Sequence, residues 1–308
     1  MGVEALFETA QNELTDLNKM LIESCAQMAY NNVIFESALS LTEAEDEKET
    51  KEDKDPSKFK NNLYKALETV KRFAATLFAK IKVAINEFVT KQSNNHTQKA
   101  IEAWMKDNDL SANAVVTVDK FIGIDNPSAV FGASSFTLID GKSEEEGAKA
   151  IAAVIAKNLG GNYAEAKKVL AEAASFADVS KVLNNLVSYA EGNEKAKWTA
   201  EEFIKTVPQL AGAKDLLKKT YTEKTAECNK RIKDLKDSIN TVETADAVAA
   251  VKAEIAKLNK FLGLIQASFI GFMKWYVAVD RQALSVIKSA KKGGVNEASM
   301  EFMGLALL

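Results

Sequence analysis

Cys228, Ile232, Leu235, Ile239 and Val242 follow one another at steps of 4, 3, 4 and 3 residues. Val248, Val251, Ile255, Leu258, Leu262, Ile265 and Phe269 do so at 3, 4, 3, 4, 3 and 4. A heptad rhythm puts each set on one stripe of a helix. A turn near Thr241 to Asp246 separates the two stripes, which predicts an antiparallel helical hairpin. A second arm running from Ala245 to Lys291 would reach about 70 Å at 1.5 Å per residue, and a first arm from Leu216 to Val242 only about 40 Å. The longer arm then carries Phe269, Phe272, Trp275, Tyr276, Val279, Leu284 and Ile287 past its partner. Leaving such side chains in water costs about 1.5–3 kcal/mol each. Something must cover them, either N-terminal helices of the same chain or a second copy.

Composition points the same way. Three prolines in 308 residues leave long stretches free of helix breakers, and 47% of the residues are apolar, enough for a core. The expected fold is mainly α, a helical bundle with a long antiparallel helical hairpin and a small irregular or β-containing connection. Four segments are expected: 1–55, an N-terminal helix and acidic linker; 56–110, a basic amphipathic helical segment; 111–142, irregular or a β hairpin; and 143–308, the hairpin domain. In the third segment Ala114–Val118 and Phe136–Ile139 read as short strands between glycine and proline turns. After it, Ser143-x-x-Glu146 and Thr199-x-x-Glu202 fit the capping box, Asn162-x-x-Glu165 is a looser version, and Asp178 is a candidate cap. Helices are expected over 145–158, 162–175, 178–191 and 199–206.

Charge is distributed in blocks. Residues 1–55 hold fourteen acids and four bases, whereas residues 56–91 hold eight bases and two acids. The acidic run Glu43–Asp55 has nothing to bury and reads as a solvated linker. In the basic block Lys58, Lys65, Lys71, Arg72, Lys80 and Lys82 accompany a stripe of Phe, Leu and Ile. Such a face suits weak contact with nucleic acid or an anionic membrane, although a solvated face of a core-packed helix is the preferred reading.

Groups that could carry chemistry are sparse. There is one histidine, His96, in a polar turn. Cys25 and Cys228 sit on apolar helical faces and read as core residues. Gly132-Ala133-Ser134-Ser135 lacks the Gly-x-Ser-x-Gly of a nucleophile elbow, and the glycine pairs are not followed by Lys-Ser/Thr. No enzyme activity, cofactor, metal or small-molecule substrate is expected. Phe261–Val279 is apolar and long enough to enter a membrane, but Gln266, Ser268 and Lys274 interrupt it, so a buried helix is preferred. The N-terminus has no basic, apolar leader pattern, so a secretory signal is not expected.

The N-terminal third has a particular layout. A helix ends in Phe35-Glu36-Ser37-Ala38-Leu39, an acidic run follows from Thr42 to Asp55, and the Lys/Phe-rich stretch Val70–Lys82 comes next. This layout resembles that of internal structural proteins carried in the heads of large tailed bacteriophages. Leu41-Thr42-Glu43 also resembles the Leu-x-Glu site cut by some phage head-maturation proteases. The resemblance implies a non-enzymatic virion component, located in the virion or host cytoplasm, whose partners are its own copies or other virion proteins. On this reading Phe269, Phe272, Trp275, Tyr276 and the tail residues Phe302, Leu305 and Leu308 lie near a contact in a homo-oligomer or assembly. The alternative is a soluble α-helical protein that inserts into membrane through Phe261–Val279.

Overall fold

The computed structural model describes residues 2–12, 15, 16, 19, 56–92, 96–111, 113–117, 120, 122–191, 197–200, 206–288 and 290. Over them the chain is a mainly α bundle. The N-terminal helix α1 covers residues 3–12. It is followed by α2 (Pro56–Gln92), α3 (His96–Asp107), β1 (Val115–Thr117), α4 (Pro127–Gly132), α5 (Glu144–Asn158), α6 (Ala164–Ala171), α7 (Phe176–Asn184), β2 (Lys197–Thr199), α8 (Thr206–Thr241) and α9 (Ala245–Lys288).

The expected hairpin is present as α8 and α9, joined by a three-residue turn at 242–244. The stripe residues Cys228, Ile232, Leu235, Ile239, Ile255, Leu258, Leu262, Ile265 and Phe269 are all buried. At 44 residues α9 is about 66 Å long. From Phe261 to Met273 nearly every side chain is buried on all sides, as expected of a helix at the centre of a molecule.

The cover on α9 comes from the same chain. Helices α2, α8 and α3 and, elsewhere around it, α7 and α4 pack on it. At its C-terminal end Phe7 of α1 sits edge-on to Trp104 of α3 with ring centroids 5.3 Å apart, and Lys288 Nζ lies 4.5 Å from the Phe7 ring centroid. Asp280, inside the bundle, accepts from Thr97 Oγ1 at 3.3 Å and so links α9 to α3. Helix α2 buries Leu63, Leu67, Val70, Phe73, Leu77, Ile81 and Ile85, as its periodicity requires, and runs along α8.

Segment 111–142 is not a β hairpin. Val115–Thr117 is a strand, but it pairs antiparallel with Lys197–Thr199, in the register Val115 with Thr199 and Thr117 with Lys197. Phe136–Leu138 is a 3-10 turn. The reason lies in Phe136 and Ile139, both buried. Residues three apart point the same way from a 3-10 turn, whereas a strand would direct them to opposite faces. Between these elements residues 122–124 run irregularly yet buried, and the polar groups of Ile122 are matched. The Ile122 carbonyl accepts from Trp275 Nε1 at 2.7 Å and from Tyr163 Oη at 2.8 Å, and the Ile122 amide donates to Gln282 Oε1 at 3.3 Å.

The starts of the short helices follow capping chemistry. Ser143 and Glu146 form the expected capping box on α5. At α7 the cap is Ser175 rather than Asp178. Asp178 takes the third helical position and accepts from the Ser175 hydroxyl at 2.8 Å and its amide at 2.9 Å. These bonds, the hydroxyl's foremost, hold the Asp178 carboxyl below its ordinary value. Asn162 is not the cap of α6, which begins at Ala164 without a side-chain cap, and the Glu165 amide donates to Glu191 at 2.8 Å. Gly160 precedes this turn at φ +88°, and a Cβ there would lie 2.8 Å from Asp125 Oδ1. Residues 199–206 do not form the expected helix throughout, because Thr199 ends β2, and Glu202 lies outside the described residues.

Candidate functional site

Sequence continuity from Cys228 toward the N-terminus leads to the most unusual group in the interior. Steps of four and three residues along the buried stripe reach Lys224 and Tyr221. A lysine therefore occupies an apolar stripe and is only 3% exposed. Its Nζ donates to Ser134 Oγ at 2.5 Å, and Ser268 Oγ donates to the same oxygen at 3.2 Å. Three elements meet there: the loop after α4, α8 and α9. Tyr221 contributes its ring, 5.4 Å from Nζ, and stands edge-on to Phe269. Burial lowers the Lys224 ammonium to about 7, with Glu227 opposing the shift. Burial also pushes the neighbouring Cys228 thiol up to about 12, which leaves it protonated.

An amine that titrates near neutrality beside a hydroxyl is a base and nucleophile pair in kind. Ser134 and Ser268 are both fully enclosed, so in this conformation the group ties the bundle together rather than meeting a substrate. Sequence reasoning set Ser134 aside for want of an elbow motif and did not single out Lys224. The available signal was a charged residue at a buried stripe position.

The expected contact residues fall elsewhere than anticipated. Phe269, Phe272, Trp275 and Tyr276 are buried by the chain itself, at 1–3% exposure, and are not a surface of the folded chain. Phe131 packs against Phe272 and Trp275 at 5.4 and 5.7 Å between centroids. Val279, Leu284 and Ile287 are buried too. Tail residues Phe302, Leu305 and Leu308 lie outside the described residues, as do Cys25, the acidic run and Leu41-Thr42-Glu43.

Along α2, Lys65, Lys71, Arg72 and Lys82 are exposed and Lys80 is half-buried, while the side chain of Lys58 lies outside the described residues. Lys71 pairs with Glu68 at 3.0 Å. The basic residues thus form the solvated side of a core-packed helix. Beside them, the exposed Val83 and a furrow between α2 and α8 of about 550 Å³, with Phe78, Ile81 and Ile85 in its lining, give this side some apolar surface.

A second hollow, of about 700 Å³, opens between α7 and α9. Its lining is polar for so apolar a region and includes Ser180, Asn184, Asn259 and Gln266.

No family model, curated protein or solved structure matches this chain.

Proposed function

We propose that this chain is a non-enzymatic structural or assembly protein, an internal or capsid-associated component of a phage virion, acting through helix–helix contacts. The observation that carries this reading is the α8–α9 hairpin, a rod of about 66 Å clad in further helices of its own chain. Such a rod holds distant surfaces at a fixed separation, which is what a scaffold requires. The layout of residues 35–82, with its likeness to phage internal head proteins, supplies the virion setting. Contacts with copies of itself or with other virion proteins run through the outer side of α2, where Lys65, Arg72 and Val83 are exposed and Lys82 borders the α2–α8 furrow. Mass spectrometry of purified virions tests the setting: the chain is expected among their proteins, and its absence removes this reading.

One observation favours a second reading. Helix α9 is long and apolar enough to cross a membrane, although 83% of its most apolar window is buried in the bundle. Membrane entry requires the hairpin to open and Lys224, Ser134 and Ser268 to part. Flotation with anionic liposomes separates the two readings. The structural reading expects the folded chain to stay with the soluble fraction.

A further inference from the structure

Lys224 and Arg231 stand seven residues apart on α8, and both reach the segment between α4 and α5. Seven residues are two helical turns, so the two basic side chains leave α8 on one face. Arg231 pairs with the exposed Asp140. Lys224 holds Ser134 in the interior, where Ser134 and Ser268 are fully buried. Residues 134–140 are thus clasped to α8 at two points, one ionic and at the surface, the other dry.

The dry point fits an amine better than an ammonium. Ser134 Oγ accepts from Ser268 Oγ at 3.2 Å, so its own hydrogen needs an acceptor. The lone pair of a neutral Nζ supplies one, whereas an ammonium has three donors and no acceptor. Once protonated, Nζ meets one hydroxyl oxygen and the Tyr221 ring at 5.4 Å, and among the described residues it pairs with no carboxylate. The groups around it offer little relief. Helix α8 brings Glu227, which favours the charged form without bonding to it, and the protonated thiol of Cys228. The α4–α5 segment brings Ser134, its Asp140 being engaged by Arg231. Helix α9 brings Ser268 from a stretch, 261–273, that holds no charge. Toward α2, Lys82 and Lys218 line the furrow that Tyr221 also lines. A charge so placed is drawn toward water.

The segment over it is able to yield. Its backbone bonds are turn bonds within itself, from the Ser135 amide to the Ala133 carbonyl at 2.7 Å and from Ile139 to Phe136 at 3.1 Å. A shift of turn 133–135 therefore breaks no helix and no strand pairing. Phe136 is anchored separately, on Phe261, with ring centroids 4.8 Å apart.

We propose that Lys224, Ser134 and Ser268 form a proton-operated latch: when Lys224 takes up a proton, turn 133–135 swings off α8 and α9 and admits water to the ammonium, while Arg231–Asp140 and Phe136 hold the rest of the segment. The part of α9 beneath the turn becomes accessible only after proton uptake. Burial sets Lys224 at about 7 against an ordinary 10.5. The open turn, where the amine is hydrated, therefore gains about tenfold in population for each pH unit lost between these values, and gains nothing further below them. The latch rests on the fold and not on the virion setting.

Hydrogen exchange of the full chain tests it, read by mass spectrometry on residues 131–139 between pH 6 and 9 and corrected for the intrinsic pH dependence of exchange. Protection of 131–139 is expected to fall about tenfold per unit from pH 9 to 7.5, to level off below about pH 6.5, and to stay below that of 261–273 throughout. Lys224→Met is expected to abolish the fall. Ser134→Ala, which keeps the amine and removes its partner, is expected to keep the fall with weaker protection at every pH. Protection of 131–139 that ignores pH, that falls equally in Lys224→Met, or that equals the protection of 261–273 at every pH overturns the proposal. Wild-type protection in Ser134→Ala overturns it as well.

Discussion

Lys224 shows how one side chain can make stability depend on pH. Its folded-state value is lowered from 10.5 to about 7 by burial. Between these values the unfolded chain binds a proton that the folded chain does not. Stability therefore rises with pH from about 7 toward 10.5, and below about 7 both states hold the proton and the slope from this residue vanishes. The full span corresponds to about 5 kcal/mol at 1.36 kcal/mol per unit. Lys224→Met keeps the stem and removes the amine. Urea unfolding between pH 6.5 and 9.5 is expected to show the wild type gaining on the variant as pH rises. At pH 7 the variant is expected to match or exceed the wild type by about 1–3 kcal/mol, as apolar replacements of buried charged groups do. Parallel slopes for the two proteins would remove the account of Lys224 as neutral in the folded core.

At the scale of elements, the α7–α9 contact is set by two glycines with opposite roles. Gly271→Ala places a methyl group against the Leu183 carbonyl, backbone on backbone, so α7 must move. A loss of about 1–3 kcal/mol is expected. Gly263→Ala meets open space and gains helix propensity, so a rise of about 0.5–1 kcal/mol is expected. Thermal unfolding of the pair checks both signs at once. The capping pattern is legible at Ser143, whereas at α7 the cap is Ser175 and not the expected Asp178. The reason is chemical: Asp at the third position reaches back to the cap amide as Glu does, so Ser-x-x-Asp is also a capping box. The partner of β1 was not legible, because Lys197–Thr199 lies about eighty residues away and carries no turn signal that links the two.

For the whole molecule, the exposed end of the long arm was the main forecast from sequence, and a second copy was one of two ways to cover it. The chain covers it alone. Phe7, near the N-terminus, is 1% exposed and closes the C-terminal end of α9 together with Trp104 and Lys288. Phe7→Ala is therefore expected to cost about 3–5 kcal/mol in urea unfolding, far more than a terminal residue would ordinarily cost. A change below 0.5 kcal/mol would mean that α1 contributes little to that end. Self-association, if it supports an assembly role, must then use other surfaces. Sedimentation velocity at tens of micromolar is expected to show an oligomer that weakens when Val83 is changed to Glu. An unchanged monomer in both would count against contacts through α2.

The helical class, the hairpin and its turn, and the amphipathic side of α2 are legible from the order of residues alone. Each rests on local periodicity, and a stripe of apolar residues at 3.5 or 3.6 per turn has few ways to be buried. What each stripe faces depends on how distant segments pack. The tertiary structure placed Trp275 and Tyr276 inside, brought Ser134 and Ser268 to Lys224 from 90 and 44 positions away in the chain, and set Asn184 opposite Asn259 and Gln266. Burial of a polar group depends on which distant segment packs over it, and no local pattern records that.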